Sequence, residues 1–226
     1  MKAIIVLPAL NESKVILKVL EGLPKRLTGV SDLQILVVDD GSTDNTYNIA
    51  KSFGANVLKH TLNRGLGAAI KTGLTWAKGQ KADIAVTFDS DGQHYGQDIP
   101  KLIGPILKRQ ADLVIGSRFA ERQDIPLDRR VLNSFANLAT FLAFGVQSSD
   151  SQSGLRAFSK KAMELVDFQA DRMEFSSEIL VEAKRNNLKV VEVPSRAIYT
   201  EYSRTKGQKN LNAIPVFVRL LIKFLR

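Results

Sequence analysis

Two carboxylates lie two residues apart in Asp89-Ser90-Asp91, a polar segment that directly follows the apolar run Ile84 to Phe88. In an extended segment, side chains two residues apart project to the same side, so Asp89 and Asp91 can share one cation. Carboxylate oxygens suit Mg²⁺ or Mn²⁺, and such a cation can also bind a ligand's phosphates. The alternative is an ordinary solvated turn, because turns are rich in Asp and Gly for local reasons.

Two further polar residues follow this pair and extend the candidate metal site. Gln93 lies two residues beyond Asp91, and His94 adjoins it. Either side chain could complete the coordination of a cation, and the amide oxygen of Gln93 is the harder ligand. We therefore expect Asp89, Asp91 and Gln93 to be the metal-binding residues.

Two other apolar runs also end in polar residues. Ala3 to Leu7 leads into the segment Pro8 to Glu12, and Gln34 to Val38 leads into the segment Asp39 to Asp44. Ligands of open α/β sheets bind beyond the carboxyl ends of the strands, so these segments are candidate ligand contacts. The second segment can also be a turn with a helix cap, with Ser42 or Thr43 as the N-cap, and we expect both roles together.

Short β-rich runs alternate with amphipathic, helix-length stretches over the first half of the chain, which predicts an α/β fold with a largely parallel, doubly wound sheet. We expect one domain over residues 1–226, with an amphipathic helix over 211–226. The predicted strands are Ala3 to Leu7, Gln34 to Val38, Asn56 to Leu58, Ile84 to Phe88, Asp112 to Ile115 and Lys189 to Val193. The predicted helices are Ser13 to Gly22, Thr43 to Phe53, Leu66 to Lys78, Ile99 to Gln110, Val131 to Phe144, Arg172 to Asn187 and Leu211 to Leu225.

Composition narrows the classes of function. The chain of 226 residues is 44% hydrophobic, enough for one sizeable core, and its lack of cysteine excludes disulfides, zinc-thiolate sites and Cys nucleophiles. The net charge of +9 favours anionic partners, which include nucleic acid, phosphorylated ligands and acidic membrane surfaces. With 7% aromatic residues and no recognisable binding motif, a nucleic-acid partner has only electrostatics to support it.

Two common nucleotide-binding motifs do not fit. The glycines of Gly65-Leu66-Gly67 begin like a dinucleotide fingerprint, but they do not follow the first strand and the pattern ends in Ile70. The chain contains no GxxxxGK[ST] sequence, so the sequence does not support a P-loop NTPase. A sugar nucleotidylyltransferase would need a Gly-rich, Arg-containing loop after the first strand, where this chain has Pro8 to Glu12.

Five ordered blocks together resemble the family-two glycosyltransferases of the GT-A fold, particularly the dolichyl-phosphate mannosyltransferase-like branch. The resemblance is close over about the first 120 residues, and the segment Asp150 to Arg156 extends it. The blocks are Pro8-Ala9-Leu10-Asn11-Glu12, Asp39-Asp40-Gly41-Ser42, Asn63-Arg64-Gly65-Leu66-Gly67, Asp89-Ser90-Asp91-Gly92-Gln93-His94 and Gly116-Ser117-Arg118.

The resemblance implies a metal-dependent enzyme in which residues 1–120 bind a nucleotide sugar and residues 121–210 serve an acceptor. It assigns the metal and diphosphate to Asp89, Asp91 and Gln93, and the nucleoside chiefly to Pro8, Glu12, Asp39 and Asp40. GDP-mannose is the favoured donor, and UDP-glucose or another UDP-sugar is the alternative. The nucleotide is left open because Leu10 stands where relatives often place an aromatic residue against the base. The full expected nucleotide-sugar set is Pro8, Ala9, Leu10, Asn11, Glu12, Val38, Asp39, Asp40, Arg64, Ser90, Arg204 and Lys206.

An inverting sugar transfer places negative charge on the leaving diphosphate, which a cation and basic side chains stabilise. Asp89, Asp91 and Arg118 are therefore the predicted catalytic residues, with Arg204 or Lys206 as further cations. A polyprenyl or dolichyl phosphate acceptor is already anionic and needs only positioning, whereas a hydroxyl acceptor needs a base. For that second case Asp150 or Glu174 would be the candidates.

The expected acceptor residues are Arg129, Arg130, Ser134 and Ser203. Arg129 and Arg130 precede a nearly uncharged helix, where they can clamp a phosphate near a membrane; the alternative is a core helix with a cationic flank. The basic segment 199–209 resembles the family loop over donor and acceptor phosphates, and a solvated linker is its alternative.

The final segment mixes apolar and basic residues and contains too few apolar residues to span a bilayer, so we expect it to lie at the membrane surface. This predicts a peripheral enzyme on the cytoplasmic side of the membrane. A separate membrane partner and a shortened chain both remain open, as does the oligomeric state. A non-enzymatic basic nucleotide-binding or nucleic-acid-binding protein is the remaining alternative.

Overall fold

The structure is a computed structural model that describes residues 1–120, 125–171 and 174–198. It contains a seven-stranded sheet in the order β3-β2-β1-β4-β6-β5-β7, which confirms the predicted α/β, GT-A-like class. The strands are β1 (Lys2–Ala9), β2 (Asp32–Asp39), β3 (Asn56–Lys59), β4 (Ile84–Thr87), β5 (Leu113–Ser117), β6 (Arg156–Ser159) and β7 (Val190–Pro194). The helices are α1 (Ile16–Glu21), α2 (Thr46–Phe53), α3 (Leu66–Gly79), α4 (Ile99–Leu107), α5 (Leu127–Phe144), α6 (Lys160–Leu165) and α7 (Phe175–Arg185).

The sheet is buried on both faces, which explains why its central strands are continuous apolar runs. In β1, Ile5 packs in the core cluster formed with α1, α2 and α4, whereas its neighbour Ile4 packs in the cluster formed with α3, α6 and α7. Successive side chains of a strand point to opposite faces, so each β1 residue serves one of the two layers. The predicted doubly wound arrangement is therefore present.

Strand β6 was not predicted, and it is the antiparallel member of the sheet. It pairs with β4 on one side and with β5 on the other, and its first residue, Arg156, lies opposite both Thr87 and Ile115. Because β6 runs opposite to its neighbours, it begins at the edge where they end. The chain segment immediately before Arg156 is therefore brought to the carboxyl edge of the parallel strands.

Helices α1 and α2 begin three residues later than the sequence predicts, at Ile16 and Thr46. The predicted N-caps of α2 were wrong, because Asn45 occupies that position. Ser42 instead accepts a hydrogen bond from the backbone N–H of Asn11 at 2.9 Å. These polar residues join two turns to each other rather than ending a helix.

Helix α5 is 18 residues long and begins at Leu127, directly after Pro126. In the part of the chain that the structure describes, no helix is both long and apolar enough to cross a membrane. The predicted helix over 211–225 and the basic segment 199–209 fall outside the described residues.

Candidate functional site

The functional residues gather at the edge where the parallel strands β1, β2, β4 and β5 end. Parallel neighbours have their carboxyl ends on the same side, so the segments that follow Ala9, Asp39, Thr87 and Ser117 share that edge. The antiparallel strand β6 adds the segment 150–155 to the same place. The sequence-predicted blocks therefore converge in space.

Asp39, the last residue of β2, is fully buried and has one unsatisfied oxygen. Its Oδ1 accepts a hydrogen bond from the backbone N–H of Ser42 at 2.7 Å. Its Oδ2 receives no hydrogen bond from any described residue, and the Lys59 ammonium lies 4.0 Å away. A buried acceptor of this kind is a candidate contact for an N–H group of a ligand.

The neighbouring Asp40 carboxylate is instead occupied by the protein. It accepts hydrogen bonds from His60 Nδ1 at 2.7 Å, from the backbone N–H of Arg64 at 2.9 Å and from that of Gly65 at 2.8 Å. These bonds attach the 60–65 segment to the end of β2. Asp40 therefore anchors this loop, and its predicted contact with the nucleoside stays a prediction.

The end of β1 and the segment that follows it are bonded to the β4 turn and to the start of α2. The Ser90 hydroxyl donates to the carbonyl of Pro8 at 2.6 Å, and the backbone N–H of Glu12 donates to Thr46 Oγ1 at 2.8 Å. Glu12 is buried, and Leu10 is partly exposed. The side chains of Ala9 and Val38 are buried in the core clusters, so these two predicted contact residues have only backbone groups to offer a ligand.

The carboxylates of Asp89 and Asp91 are held differently. Asp89 Oδ2 accepts from His94 Nε2 at 3.0 Å, and the His94 ring packs edge-on against Phe88 with centroids 5.8 Å apart. Asp91 Oδ1 accepts from the backbone N–H of Gln93 at 3.0 Å, and its Oδ2 accepts from the Gln93 side-chain amide. Gln93, the predicted third metal ligand, is therefore bonded to Asp91 in this structure.

The pKa values of the two carboxyls move in opposite directions. Burial disfavours the charged form of Asp89, but the hydrogen bond and charge of His94, with the charges of Arg118 and Arg156, lower its pKa. Burial and the neighbouring Asp89 charge raise the pKa of Asp91. The described residues hold no group of three or more His, Asp or Glu side chains arranged for a metal ion. Mg²⁺ sites commonly combine one or two carboxylates with substrate phosphates.

The segment before β6 brings Asp150, the candidate base, to the predicted catalytic residue Arg118, and it leads into Arg156, to which the sequence analysis gave no role in the site. Arg118 donates to Asp150 through Nε and Nη2, both at 2.8 Å, and Asp150 is fully buried. Arg156 is also buried, donates to the carbonyls of Ser151, Ser153 and Ser176, and has its pKa lowered to about 10 by burial. The signal available in the sequence was the block Asp150 to Arg156, which only the antiparallel strand brings beside Asp89.

The remaining predicted residues lie elsewhere or outside the described part of the chain. Arg64 lines a cleft of about 370 Å³ beside α3, together with Leu58, Lys71, Trp76 and Asp171 among others. Arg130 and Ser134 are exposed on α5. The Arg129 side chain and residues Ser203, Arg204 and Lys206 fall outside the described residues.

Comparisons with known proteins give a consistent result. The model of the family "Glycosyl transferase family 2" matches residues 4–166. The chain is 41% identical to a UDP-N-acetylglucosamine–dolichyl-phosphate N-acetylglucosaminyltransferase of Methanococcus voltae, over 96% of this chain and 94% of that protein. It is 30% identical to a dolichol-phosphate mannosyltransferase of Pyrococcus furiosus, over 96% of this chain and 61% of that protein.

Solved structures show the same fold. A glucosyl-3-phosphoglycerate synthase from Mycobacterium tuberculosis, in complex with Mn²⁺, UDP-glucose and phosphoglyceric acid, superposes with a TM-score of 0.69. The alignment covers 97% of this chain and 79% of that one at 22% identity. At this level of identity the likeness supports the GT-A-like architecture alone.

Proposed function

The chain belongs to glycosyl transferase family 2, and we propose that it transfers a sugar, with inversion, from a nucleoside diphosphate sugar to the phosphate of a membrane-borne polyprenol. One observation carries the proposal. A buried base acceptor, Asp39, a pair of metal-competent carboxylates, Asp89 and Asp91, and an oriented cation, Arg118, share one edge of the sheet. Nucleoside, diphosphate and leaving-group charge thus each have a matching group.

Asp39 is the proposed contact for the nucleobase. Its Oδ2 is a buried anionic acceptor that lacks a hydrogen bond from the described residues. Uracil and guanine each carry a ring N–H that can donate to such an oxygen, and a charge-assisted bond in a buried place is strong. This accounts for a UDP or GDP donor equally well.

The choice between these donors rests on the relatives. The N-acetylglucosaminyltransferase of Methanococcus voltae is 41% identical over nearly the whole chain, whereas the Pyrococcus furiosus mannosyltransferase is 30% identical. We therefore place UDP-N-acetylglucosamine first as the donor. GDP-mannose, which the sequence analysis favoured, becomes the second candidate.

A divalent cation fits the donor set of Asp89 and Asp91. Both groups are carboxylates, and Asp89 Oδ1 receives no hydrogen bond from the described residues, so it is open to a hard cation such as Mn²⁺ or Mg²⁺. When bound, such an ion would neutralise charge on the leaving diphosphate. The lowered pKa of Asp89 keeps this carboxyl ionised at neutral pH.

The protein's own groups favour a phosphate acceptor. Asp150 accepts three hydrogen bonds from Arg118, two from the guanidinium and one from the backbone N–H. They orient the guanidinium and engage the carboxylate that a hydroxyl acceptor would need as a base. Glu174 is buried at the N-terminus of α7. A phosphate oxygen is already anionic, so Arg118 can stabilise the transition state without a proton transfer to the protein.

Purified full-length protein with radiolabelled donors tests this proposal. We expect transfer from UDP-N-acetylglucosamine to a polyprenyl phosphate in the presence of Mn²⁺, and weaker or no transfer from GDP-mannose. Thermal stabilisation by UDP over GDP would accompany this result, because ligands that bind the native state raise its melting temperature. Preference for GDP-mannose in both assays would reverse the choice of donor. Lack of transfer to any polyprenyl phosphate would refute the acceptor.

Helix α5 supports peripheral association with the membrane. It exposes an apolar stripe, which we define as Leu127, Val131, Phe135, Leu138 and Leu142, with exposed fractions between 47% and 76%. Spacings of three and four residues place these side chains on one face of the helix. Arg130 is exposed on the same helix, and the chain carries a net charge of +9. An apolar face beside basic charge is typical of helices at anionic lipid surfaces.

Sedimentation with vesicles tests this association. Phe135→Asp should weaken binding to phosphatidylglycerol-containing vesicles by placing a charge in the stripe, with little loss of stability because the side chain is 62% exposed. Leu17→Asp is the matched control, since Leu17 is an exposed apolar residue on α1, outside the stripe. Equal loss of binding in both variants would argue against the stripe.

A further inference from the structure

Asp89 is held on two sides by residues to which the proposed function gives no role. On one side, His94 Nε2 lies 3.0 Å from Oδ2 and, because a carboxylate only accepts, this nitrogen is the donor. On the other side, a Cβ built on Gly154 would overlap both carboxylate oxygens. The carboxylate therefore lies between a hydrogen-bond donor and bare backbone.

Both of these neighbours are themselves fixed. The His94 side chain is only 3% exposed, packs against Phe88 and has a backbone bridge to Ala197. The carbonyl of Gly154 accepts from Thr87 Oγ1 at 2.7 Å, and Thr87 ends the same strand that leads to Asp89. The contacts on either side of the carboxylate thus belong to one packed unit with β4.

His94 keeps a buried nitrogen that no described residue satisfies. Its Nδ1 has no hydrogen-bond partner among the described residues. An unsatisfied buried polar atom costs stability, so packing alone would be better served by an apolar ring at this position. The hydrogen bond from Nε2 to Asp89 gives this histidine a task that an apolar ring cannot perform.

The hydrogen bonds also distinguish the four oxygens of the acidic pair. Gln93 donates to both oxygens of Asp91, and His94 donates to Oδ2 of Asp89. Oδ1 of Asp89 is the one that accepts no hydrogen bond within the described part of the chain. A cation can approach this oxygen without displacing a protein donor.

We infer that His94 and Gly154 are positioning residues, which hold Asp89 with Oδ1 as the oxygen that would be offered to the divalent cation of the donor site. The inference rests on the metal-dependent proposed function and adds to it the residues that set the geometry of the first carboxylate. Partners of this kind orient metal ligands, and their loss commonly weakens metal binding by about 10- to 100-fold.

The test measures the Mn²⁺ dissociation constant of the full chain from the electron paramagnetic resonance signal of free Mn²⁺, with unfolding in EDTA as the check on folding. His94→Phe keeps an aromatic ring but removes the donor, and should weaken binding about tenfold. His94→Gln keeps an N–H at a similar reach and should restore most of the affinity. Gly154→Ala should weaken binding by at least a similar factor, because Asp89 must move.

Two matched controls separate positioning from general damage. His60→Phe removes the analogous His–Asp hydrogen bond at Asp40, away from the candidate metal pair, and should leave Mn²⁺ affinity unchanged. Gly104→Ala adds a Cβ that meets no atom within 4 Å, and should also leave it unchanged.

The outcomes are distinguishable. Wild-type affinity in folded His94→Phe or folded Gly154→Ala would overturn the assigned role of that residue. If His94→Phe does not fold, His94→Gln takes its place in the test. A folded His94→Gln variant that loses as much Mn²⁺ affinity as Gly154→Ala would overturn the hydrogen-bond role of His94. If the wild-type chain binds no Mn²⁺, the proposed metal site fails, and this inference fails with it. If the wild-type chain binds Mn²⁺ and the folded His94 and Gly154 variants bind it with the same affinity, the inference is refuted and the proposed metal site stands.

Discussion

The two acidic turns after β2 and β4 show the same pattern of hydrogen bonds to their carboxylates, but the donors come from different parts of the chain. In each turn one carboxylate, Asp39 or Asp89, has an oxygen without a hydrogen bond from the described residues, while its partner, Asp40 or Asp91, has both oxygens occupied. Asp40 is held by donors 20 to 25 residues away in the chain, whereas Asp91 is held by its near neighbour Gln93.

This difference separates a fixed contact from an adjustable one. The bonds to Asp40 attach a whole loop to the sheet, so changing them requires that the loop moves. The bonds to Asp91 come from one residue two positions away, and rotation of its side-chain amide would free one Asp91 oxygen for a cation. Under the proposed function, a fixed contact at the end of β2 fits recognition of a rigid base, and an adjustable one at the end of β4 fits an exchangeable ion with its phosphates.

The largest expected effect is that of Asp89→Asn. It removes the charge of the carboxylate that is open to a cation, and the loss of several kcal/mol of transition-state stabilisation corresponds to a fall in kcat/KM of about 10³-fold or more. Initial rates of sugar transfer with Mn²⁺ measure this effect, and unfolding in EDTA checks that the fold is intact. A folded variant with near wild-type activity would break the proposed role of the β4 turn.

Asp40→Ala is expected to affect stability most. It leaves the N–H groups of Arg64, Gly65 and His60 without their acceptor, and the free energy of unfolding should fall by about 2–4 kcal/mol. Urea denaturation measures this change. Asp91→Ala is the comparison variant, which should lose less because it frees only donors of Gln93. A larger loss of stability in Asp91→Ala than in Asp40→Ala would show that the hydrogen bonds of the two turns have been assigned wrongly.

A smaller effect is expected for Asp39→Asn. The Ser42 N–H retains an oxygen acceptor, but an NH₂ group then replaces the oxygen offered to the base. The dissociation constant for UDP should rise about tenfold, or about 1.4 kcal/mol, while Mn²⁺ affinity is unchanged. Isothermal titration of both ligands checks this, and unchanged UDP affinity would remove Asp39 from the nucleoside site.

The smallest expected effect concerns Asp44, an exposed residue that ties the first two turns together. Partial burial opposes its ionisation, but hydrogen bonds from Ser13 and Thr46 outweigh this and lower its pKa from the ordinary value of 3.8. A carboxyl with a lowered folded pKa stabilises the protein above about pH 3.8 and loses that contribution as the pH falls further. Asp44→Asn should therefore cost less than about 1 kcal/mol at pH 7, and still less at pH 3. Urea denaturation at both pH values measures the difference; an equal cost would exclude the ionised form as its source.

Much of the fold could be predicted from the sequence because its central strands are buried on both faces and appear as apolar runs. The strand predicted over Ala3 to Leu7 is the centre of β1, and helix α3 begins at the predicted Leu66. The starts of α1 and α2 could not be predicted, because Asn11 and Asp44 make hydrogen bonds between turns about 30 residues apart in the chain. Capping rules consider only local partners.

The place of the candidate site could be predicted where one segment carries the relevant residue types, as at Asp89 and Asp91, whereas their metal-binding role stays a prediction. Polar residues directly after an apolar run identify a strand end without knowledge of its neighbours. The sequence could not predict that Asp40 has both oxygens occupied while Asp39 does not. Adjacent residues of the same type differ only in which distant groups reach them. The sequence likewise did not decide whether the apolar face of α5 is buried in the core or exposed, because an apolar periodicity does not show what covers that face.

The sequence by itself determined the parallel sheet, its acidic turns and the family to which the chain belongs, since these depend on local residue types and their order. The tertiary structure alone decided which oxygens remain open to a ligand. The donors that occupy the other oxygens come from the segments that follow β2, β3 and β4. The antiparallel direction of β6 adds the backbone of Gly154 and the charge of Arg156 beside Asp89. Strand direction depends on long-range pairing, and four residues of sequence do not specify it.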